Sequence, residues 1–359
     1  MISLSQLVAL AIFGSYFSLI LILFGVIAHT IRWRDAETSS QKRRVGVYAS
    51  LALASFLHTW YYMVKFLLWS RDEYESRVPD NRTLPALERL ANWLLNTELF
   101  EQAWFTVCKH PQSWLISEQL CLFTVGAWTL FLYVESKRHS VLVLRPWAFM
   151  LLGQLVAISV ASNLFCLALV VAPAAREPRT GAATRTHRVE ALRVPPFVLA
   201  CIAAALGAVA NTPSMLETRF LSNLLLMHGA IVLPLLPNSS NFVGTGGPRF
   251  DLAAPTCYVI LALASLAIRV KTLSGAGDSG FPPLLGLPAQ LERLHSHPAQ
   301  ASIGWDVIWT TLSFAVYEMV ERNSWPPRSL LWSLGGTIGS AAPVILAFTD
   351  DDQEDAMQS

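Results

Sequence analysis

Apolar runs long enough to cross a bilayer as helices recur along the whole chain, separated by shorter polar segments. They fall at about residues 4–28, 45–69, 114–134, 147–171, 196–209, 220–236, 252–270, 303–321 and 329–348. The first lacks a basic leader and is too long for a signal-peptide core, so it is expected to stay as the first span. The pattern predicts an all-α protein: a polytopic transmembrane helical bundle of eight or nine spans, one domain over residues 1–348, and an acidic disordered tail at 349–359. The run at 303–321 is the unusual one. Asp306 lies near its start, and Thr310, Ser313 and Tyr317 follow at helical spacing, all within roughly 40° on a helical wheel. An ionisable group inside a span is costly, so this stripe is expected to face the bundle interior or a wet cavity. The competing expectation is that Asp306 sits at the headgroup level and caps its own helix.

Other polar positions share the apolar runs. Ser55, His58, Tyr62, Lys65 and Trp69 form one face of the second run, and Lys65 is within reach of the interface by snorkelling. Glu118 lies one turn inside the third, on a helix that also carries Ser117, Cys121, Thr124 and Trp128. It serves either inside the bundle or at the membrane surface. Gln154, Ser162 and Asn163 in the fourth are expected to join helices together. Asn223 and His228 lie in the sixth, and Gly335 and Gly339 make a close-packing pair in the last. Between spans, residues 85–107 are amphipathic and suit an interfacial or re-entrant helix. There Glu98 and Glu101 are three apart, hence neighbours, beside Trp104. Two such carboxylates raise one another's pKa when desolvated; otherwise they form an ordinary solvated face. Residues 271–300, rich in Gly and Pro, read as a linker.

Charge assigns sides. The basic segment after the first run, with Arg32, Arg34, Lys42, Arg43 and Arg44, is expected in the cytosol, as is the one holding Lys137 and Arg138. Simple alternation then places residues 173–193 in the lumen, although their five arginines favour the cytosol. Asn81 and Asn238 head glycosylation sequons, and alternation puts both in the lumen.

Composition narrows the function. The chain is 53% hydrophobic and 14% charged, with a mean hydropathy of +0.44, which excludes a soluble domain. Its net charge of +1 gives no field for nucleic acid. The cysteines lack zinc or disulfide spacing. No phosphate loop, dinucleotide fingerprint, GxSxG or HExxH is present. Residues 351–355 match DDxxD, a magnesium–diphosphate motif, but a frayed terminus holds no metal at fixed geometry. No cofactor is therefore expected. What remains is a set of acids at or inside the membrane: Asp306, Glu98, Glu101, Glu118 and Glu318. A carboxylic acid kept neutral in an apolar cavity protonates an epoxide or alkene, and aromatic faces stabilise the cation that forms.

Two segments, NWLLNTELFEQAWFTVCKHPQSWLISEQLCLFTVGAWTLFLYVE from residue 92 and SIGWDVIWTTLS from residue 302, resemble fungal integral-membrane terpene cyclases acting on meroterpenoids, of the ascofuranone-pathway type. The resemblance implies a multi-span, metal-independent enzyme that protonates the epoxide of a farnesylated aromatic and closes a ring. Its acids within these segments are Glu98, Glu101 and Glu118, and Asp306. On this reading Asp306 or Glu101 is the general acid, and Glu98 or Glu118 its partner. Trp104, Trp305 and Trp309 wall the cation, with Thr310, Tyr317 and His58 also in the substrate site. The expected partners are a lipophilic prenylated aromatic and membrane lipids, with no nucleic acid, in a multi-pass protein of the endoplasmic reticulum. A transporter or channel for a small lipophilic metabolite is the alternative, and a non-catalytic membrane protein the third.

Overall fold

The computed structural model describes residues 2–31, 38–139, 144–172, 192–215, 219–237, 251–278, 287–322, 324–330 and 337–356. The fold is all-helical, 87% helix with almost no strand. In chain order the helices are α1 (Leu4–Thr30), α2 (Ser39–Arg77), α3 (Ala86–Leu95), α4 (Leu99–Cys108) and α5 (Pro111–His139). Then come α6 (Pro146–Leu155), α7 (Ile158–Val171), α8 (Pro196–Asn211), α9 (Phe220–Val232) and α10 (Ala254–Asp278). The last are α11 (Leu287–Leu294), α12 (Pro298–Glu321) and α13 (Ile338–Ala356).

Among the described residues, five helices are long and apolar enough to cross a membrane: α1, α2, α5, α8 with its following turn, and α10. Three shorter apolar helices, at Ile158–Val171, Phe220–Leu235 and Ile338–Ala347, accompany them. Helices of full crossing length thus do not reach the expected count of eight or nine. The run at 303–321 forms α12, which is long enough but too polar to join the five.

Burial separates the helices. In α5, 83% of the most apolar window is buried, against 11% in α1. α1 is apolar on all sides and exposes Leu4, Leu7, Ile12, Leu21 and Ile22, while α10 exposes Ile260, Leu263 and Val270. Such continuous belts are what a bilayer covers. α5 is the central post, and Phe123–Trp128 within it forms a π-turn, where Thr129 Oγ1 donates to the Thr124 carbonyl at 2.7 Å.

The expected span at 147–171 is two helices, not one. α6 stops at Leu155, and Ala157 is extended (φ −173°, ψ 142°) before α7 begins. The two helices fold back on each other: the Phe149 and Phe165 rings are 5.1 Å apart, and Gly153 faces Ile158 and Ala161. A Cβ on Gly153 would lie 2.8 Å from Ile158 Cδ1 and 3.3 Å from Ala161 Cβ, so glycine permits the close turn. Tyr16 of α1 donates to the Leu155 carbonyl at 2.6 Å, capping the end of α6. The outer ends of this hairpin therefore lie at the same end of the bundle. α7 runs parallel to α12, since Asp306 meets Ile158 while Ser313 meets Asn163. α12 runs antiparallel to α2, with Ser302 against Thr59 and Glu321 against Arg44. The C-terminal end of α7 thus lies with Arg44 and the C-terminal end of α5, near Glu135 and Glu321. Two short strands, Arg193–Val194 and Leu252–Ala253, pair antiparallel, and Asp251 beside them lies near Tyr133 at that same end. The two ends of the fourth apolar run thus lie at one end of the bundle, where a single crossing helix would separate them.

Three more expectations are corrected. The amphipathic segment 85–107 breaks at Asn96–Glu98 into α3 and α4. The linker shrinks, since α10 continues to Asp278, α11 occupies Leu287–Leu294 and α12 starts at Pro298. Residues 349–356 continue α13 as helix, where a disordered tail is expected. Of the close-packing glycine pair, Gly335 lies outside the described residues, while Gly339 packs on Leu122 and Phe123.

Candidate functional site

The stripe on α12 points inward. Asp306, Thr310, Ser313 and Tyr317 are all buried, at 6%, 0%, 5% and 9% exposure, so the stripe faces the bundle interior. Asp306 does act as a cap, but for another helix. Its Oδ2 accepts the backbone N–H of Ile158 at 2.8 Å, and its Oδ1 that of Ser159 at 2.9 Å. These are the first N–H groups of α7, which no side chain of its own caps. The positive end of the α7 dipole and a carboxylate thus meet in the middle of the bundle.

Asp306 also opens on a cavity of about 160 Å³, mostly apolar, enclosed by α2, α4, α5, the α6–α7 turn, α9 and α12. Trp104, Leu120, Gln154, His228 and Ser302 contribute to its wall. His228 Nδ1 lies 2.7 Å from the Leu224 carbonyl. A carbonyl only accepts, so Nδ1 carries the proton and Nε2 is left as an acceptor. The Trp104 ring stands edge-on to His228, with centroids 5.6 Å apart. Gln154 Nε2 reaches the His228 carbonyl at 3.3 Å, tying the hairpin to α9.

The other predicted site residues divide among four places. Trp305, Trp309 and His58 gather between α12 and α2: Trp309 Nε1 donates to His58 Nδ1 at 3.1 Å, and the Trp305 ring is 4.3 Å from the His58 ring. None of the three lines the Asp306 cavity. Glu118 is fully buried, but bound to Arg269 at 3.0 Å and to the Thr272 hydroxyl, so it joins α5 to α10. Glu98 and Glu101 line an outer groove with Arg77 and Arg219, on the far side of α4 from the cavity. Desolvation raises the Glu101 pKa above its ordinary value, and Glu98 adds to this through a hydrogen bond and its charge. Tyr317 packs on Phe314 and Phe131, with Thr310 close by, beyond Asp306 along the stripe. Asn81 is 2% exposed, and its Oδ1 accepts from Asn92 at 3.0 Å, so the expected glycan has no room; Asn238 lies outside the described residues.

Two wall residues, His228 and Gln154, received no catalytic or substrate-binding role from the sequence. The signal that could have marked them is the broken fourth run, but no proline or glycine stands at Val156–Ala157 to betray it. Among the described residues, no group of three His, Cys, Asp or Glu side chains is placed to hold a metal ion. No family model, no curated protein and no solved structure matches this chain.

Proposed function

We propose that the protein is a multi-pass membrane enzyme, seated in the endoplasmic reticulum, that closes a ring in a prenylated aromatic by acid-initiated cyclisation. The observation that carries this reading is a single buried carboxyl, Asp306, at the wall of an apolar cavity that also presents Trp104 and His228. Asp306 is the general acid and delivers its proton to the epoxide oxygen or alkene. The Ile158 and Ser159 N–H groups then hold the carboxylate that remains, without any rearrangement of water. Trp104 offers an aromatic face to the developing cation. His228 Nε2 takes the proton lost when the final alkene forms, or the one released when the substrate's own hydroxyl quenches the cation. The apolar wall keeps water from trapping the cation early. Glu118 and the Glu98–Glu101 pair take no part in the chemistry, being held elsewhere.

The test uses microsomes carrying the full chain and an epoxidised farnesyl phenol. Asp306→Asn is expected to abolish cyclised product, while Glu101→Gln retains it. Product formation at the wild-type rate in Asp306→Asn would end the assignment.

One observation favours transport of a lipophilic metabolite instead: the α6–α7 hairpin ends mid-bundle beside an anion, an arrangement suited to a permeation site. Conversion of substrate by isolated membranes without any gradient decides for the enzyme.

A further inference from the structure

Beyond Asp306 along the α12 stripe lies a second, smaller hollow of about 20 Å³, whose mostly apolar lining includes Trp128, Ser162, Thr310, Ser313 and Tyr317. Its size is that of one water molecule. Trp128 Nε1 in its wall is fully buried and has no hydrogen-bond partner among the described residues, while the Thr310 hydroxyl interacts with Asp306. A buried indole N–H left unpaired is costly and calls for a partner in this space. The π-turn at Phe123–Trp128 is the irregular stretch of α5 that presents Trp128 here.

Two of the remaining walls offer acceptors. Ser313 Oγ donates to the Trp309 carbonyl at 2.6 Å and accepts from Asn163 Nδ2 at 2.7 Å, leaving one lone pair. Ser162 Oγ donates to the Ser159 carbonyl at 3.0 Å and keeps its lone pairs, so it too offers an acceptor. A polar molecule in the hollow therefore finds one donor, Trp128, and three acceptors, Ser313, Ser162 and Thr310, whose own O–H turns to Asp306. Water matches that set, since it accepts from the indole and donates through two O–H bonds. An apolar group would leave the Trp128 N–H unpaired.

We propose that this hollow is a built site for a single buried water, and that the water and the Thr310 hydroxyl form a proton route to Asp306. Thr310 follows Asp306 by one helical turn, so its hydroxyl stands between the carboxyl and the water. It gives its proton to the carboxylate and takes one from the water, which is refilled from the Tyr317 end, where Arg322 lies 5.5 Å from the Tyr317 ring. The proton lost to the substrate is thereby returned to Asp306, and once His228 has shed the proton it took, the net charge of the site is unchanged over a turnover. The water site stands on geometry alone. The proton route rests on the reading of Asp306 as the acid.

Hydroxyl-radical labelling of the full chain in lipid nanodiscs, read by mass spectrometry, tests the water, because radicals form at bound water even in a protein interior. Trp128, at 2% exposure, is expected to be oxidised about tenfold faster than the fully buried Phe149 and Leu152, and Phe314 and Tyr317 at least as fast as Trp128. Thr310→Val should lower labelling at Trp128 by about fivefold, and Trp128→Phe should do the same at Tyr317. Labelling no faster than at Phe149 in the wild-type chain overturns the site. So does wild-type labelling in both variants. For the route, Thr310→Val is expected to slow turnover about tenfold at unchanged substrate affinity, and an unchanged rate overturns it. A fully active Asp306→Asn would remove the acid reading and the route together, while the labelling would still decide the water.

Discussion

Asp306 and Ile158 are 148 residues apart in sequence, yet the Asp306 carboxylate accepts the Ile158 backbone N–H at 2.8 Å and that of Ser159 at 2.9 Å. This contact fixes the α6–α7 hairpin against α12. Removing it leaves two backbone donors buried without partners. Asp306→Ala is therefore expected to cost about 3–5 kcal/mol and Asp306→Asn, which keeps one acceptor, about 1–3 kcal/mol. Thermal unfolding in detergent should rank wild type above Asn above Ala. Equal stability of Asp306→Ala and wild type would mean that the N–H groups are held by something else.

Two glycines differ in what stands opposite them. At Gly153 the nearest atom to an added Cβ is the tip of the Ile158 side chain, at 2.8 Å. At Gly339 it is Leu122 Cβ at 2.6 Å, with the Phe123 backbone nitrogen at 3.0 Å. A side-chain tip moves and a backbone does not. Gly339→Ala should cost about 2–3 kcal/mol, against about 1 kcal/mol for Gly153→Ala. Adding Ile158→Val to Gly153→Ala should recover part of the loss, as read from the same unfolding curves.

These contacts show what the sequence carried and where it stopped. The inward stripe from Asp306 to Tyr317 was legible because four polar groups at helical spacing on an apolar helix have only one low-cost direction. That Trp104 faces the same cavity was also within reach. The hairpin was not, because residues 147–171 are apolar throughout and periodicity cannot distinguish one long helix from two short ones. The error passed into the sidedness of everything after it. Glu118 looked like a free acid because its partner, Arg269, lies on a helix 151 residues away. The Glu98–Glu101 pair was placed correctly as neighbours, but the kink at Asn96 turns it outward while Trp104 turns in.

Glu118 and Arg269 predict their own mutational pattern. Both side chains are buried, at 0% and 14% exposure, and the Arg269 guanidinium also donates to the Leu115 carbonyl at 2.7 Å. Breaking such a pair leaves a lone charge inside. Glu118→Gln or Arg269→Met alone should cost about 3–5 kcal/mol, and Glu118→Leu with Arg269→Met considerably less than the two single effects together. A double-mutant cycle on melting temperatures checks the coupling. Strict additivity would show the pair to be unimportant.

Glu101 gives a pH dependence with a definite sign. Its carboxyl holds a proton more tightly in the folded chain than in the unfolded one, because desolvation and Glu98 both oppose the charge. The folded state is then favoured at acidic pH, and this contribution is lost as pH rises through the ordinary carboxylate range toward the raised value. Glu101→Gln should accordingly raise the melting temperature at pH 7 by about 1–2 °C and leave it unchanged near pH 4. A stabilisation that persists at pH 4 would point to packing rather than charge.

The hairpin makes the sharpest prediction, because it decides on which side of the membrane half the chain's connections lie. If α6 and α7 crossed as one helix, Arg193 would share a face with Lys109, at the start of α5. As a hairpin they return it to the face of Arg138, at the end of α5. All three residues are exposed, and the five native cysteines are all buried, so single cysteines can be introduced at each position with little background. In sealed vesicles of one orientation, a membrane-impermeant maleimide should label Arg138→Cys and Arg193→Cys together and spare Lys109→Cys. In vesicles of the opposite orientation the pattern should invert. Labelling of Arg193→Cys together with Lys109→Cys would restore the single crossing helix. The mid-bundle N-terminus that Asp306 caps would then not exist, and the cavity would lose the wall formed by the α6–α7 turn.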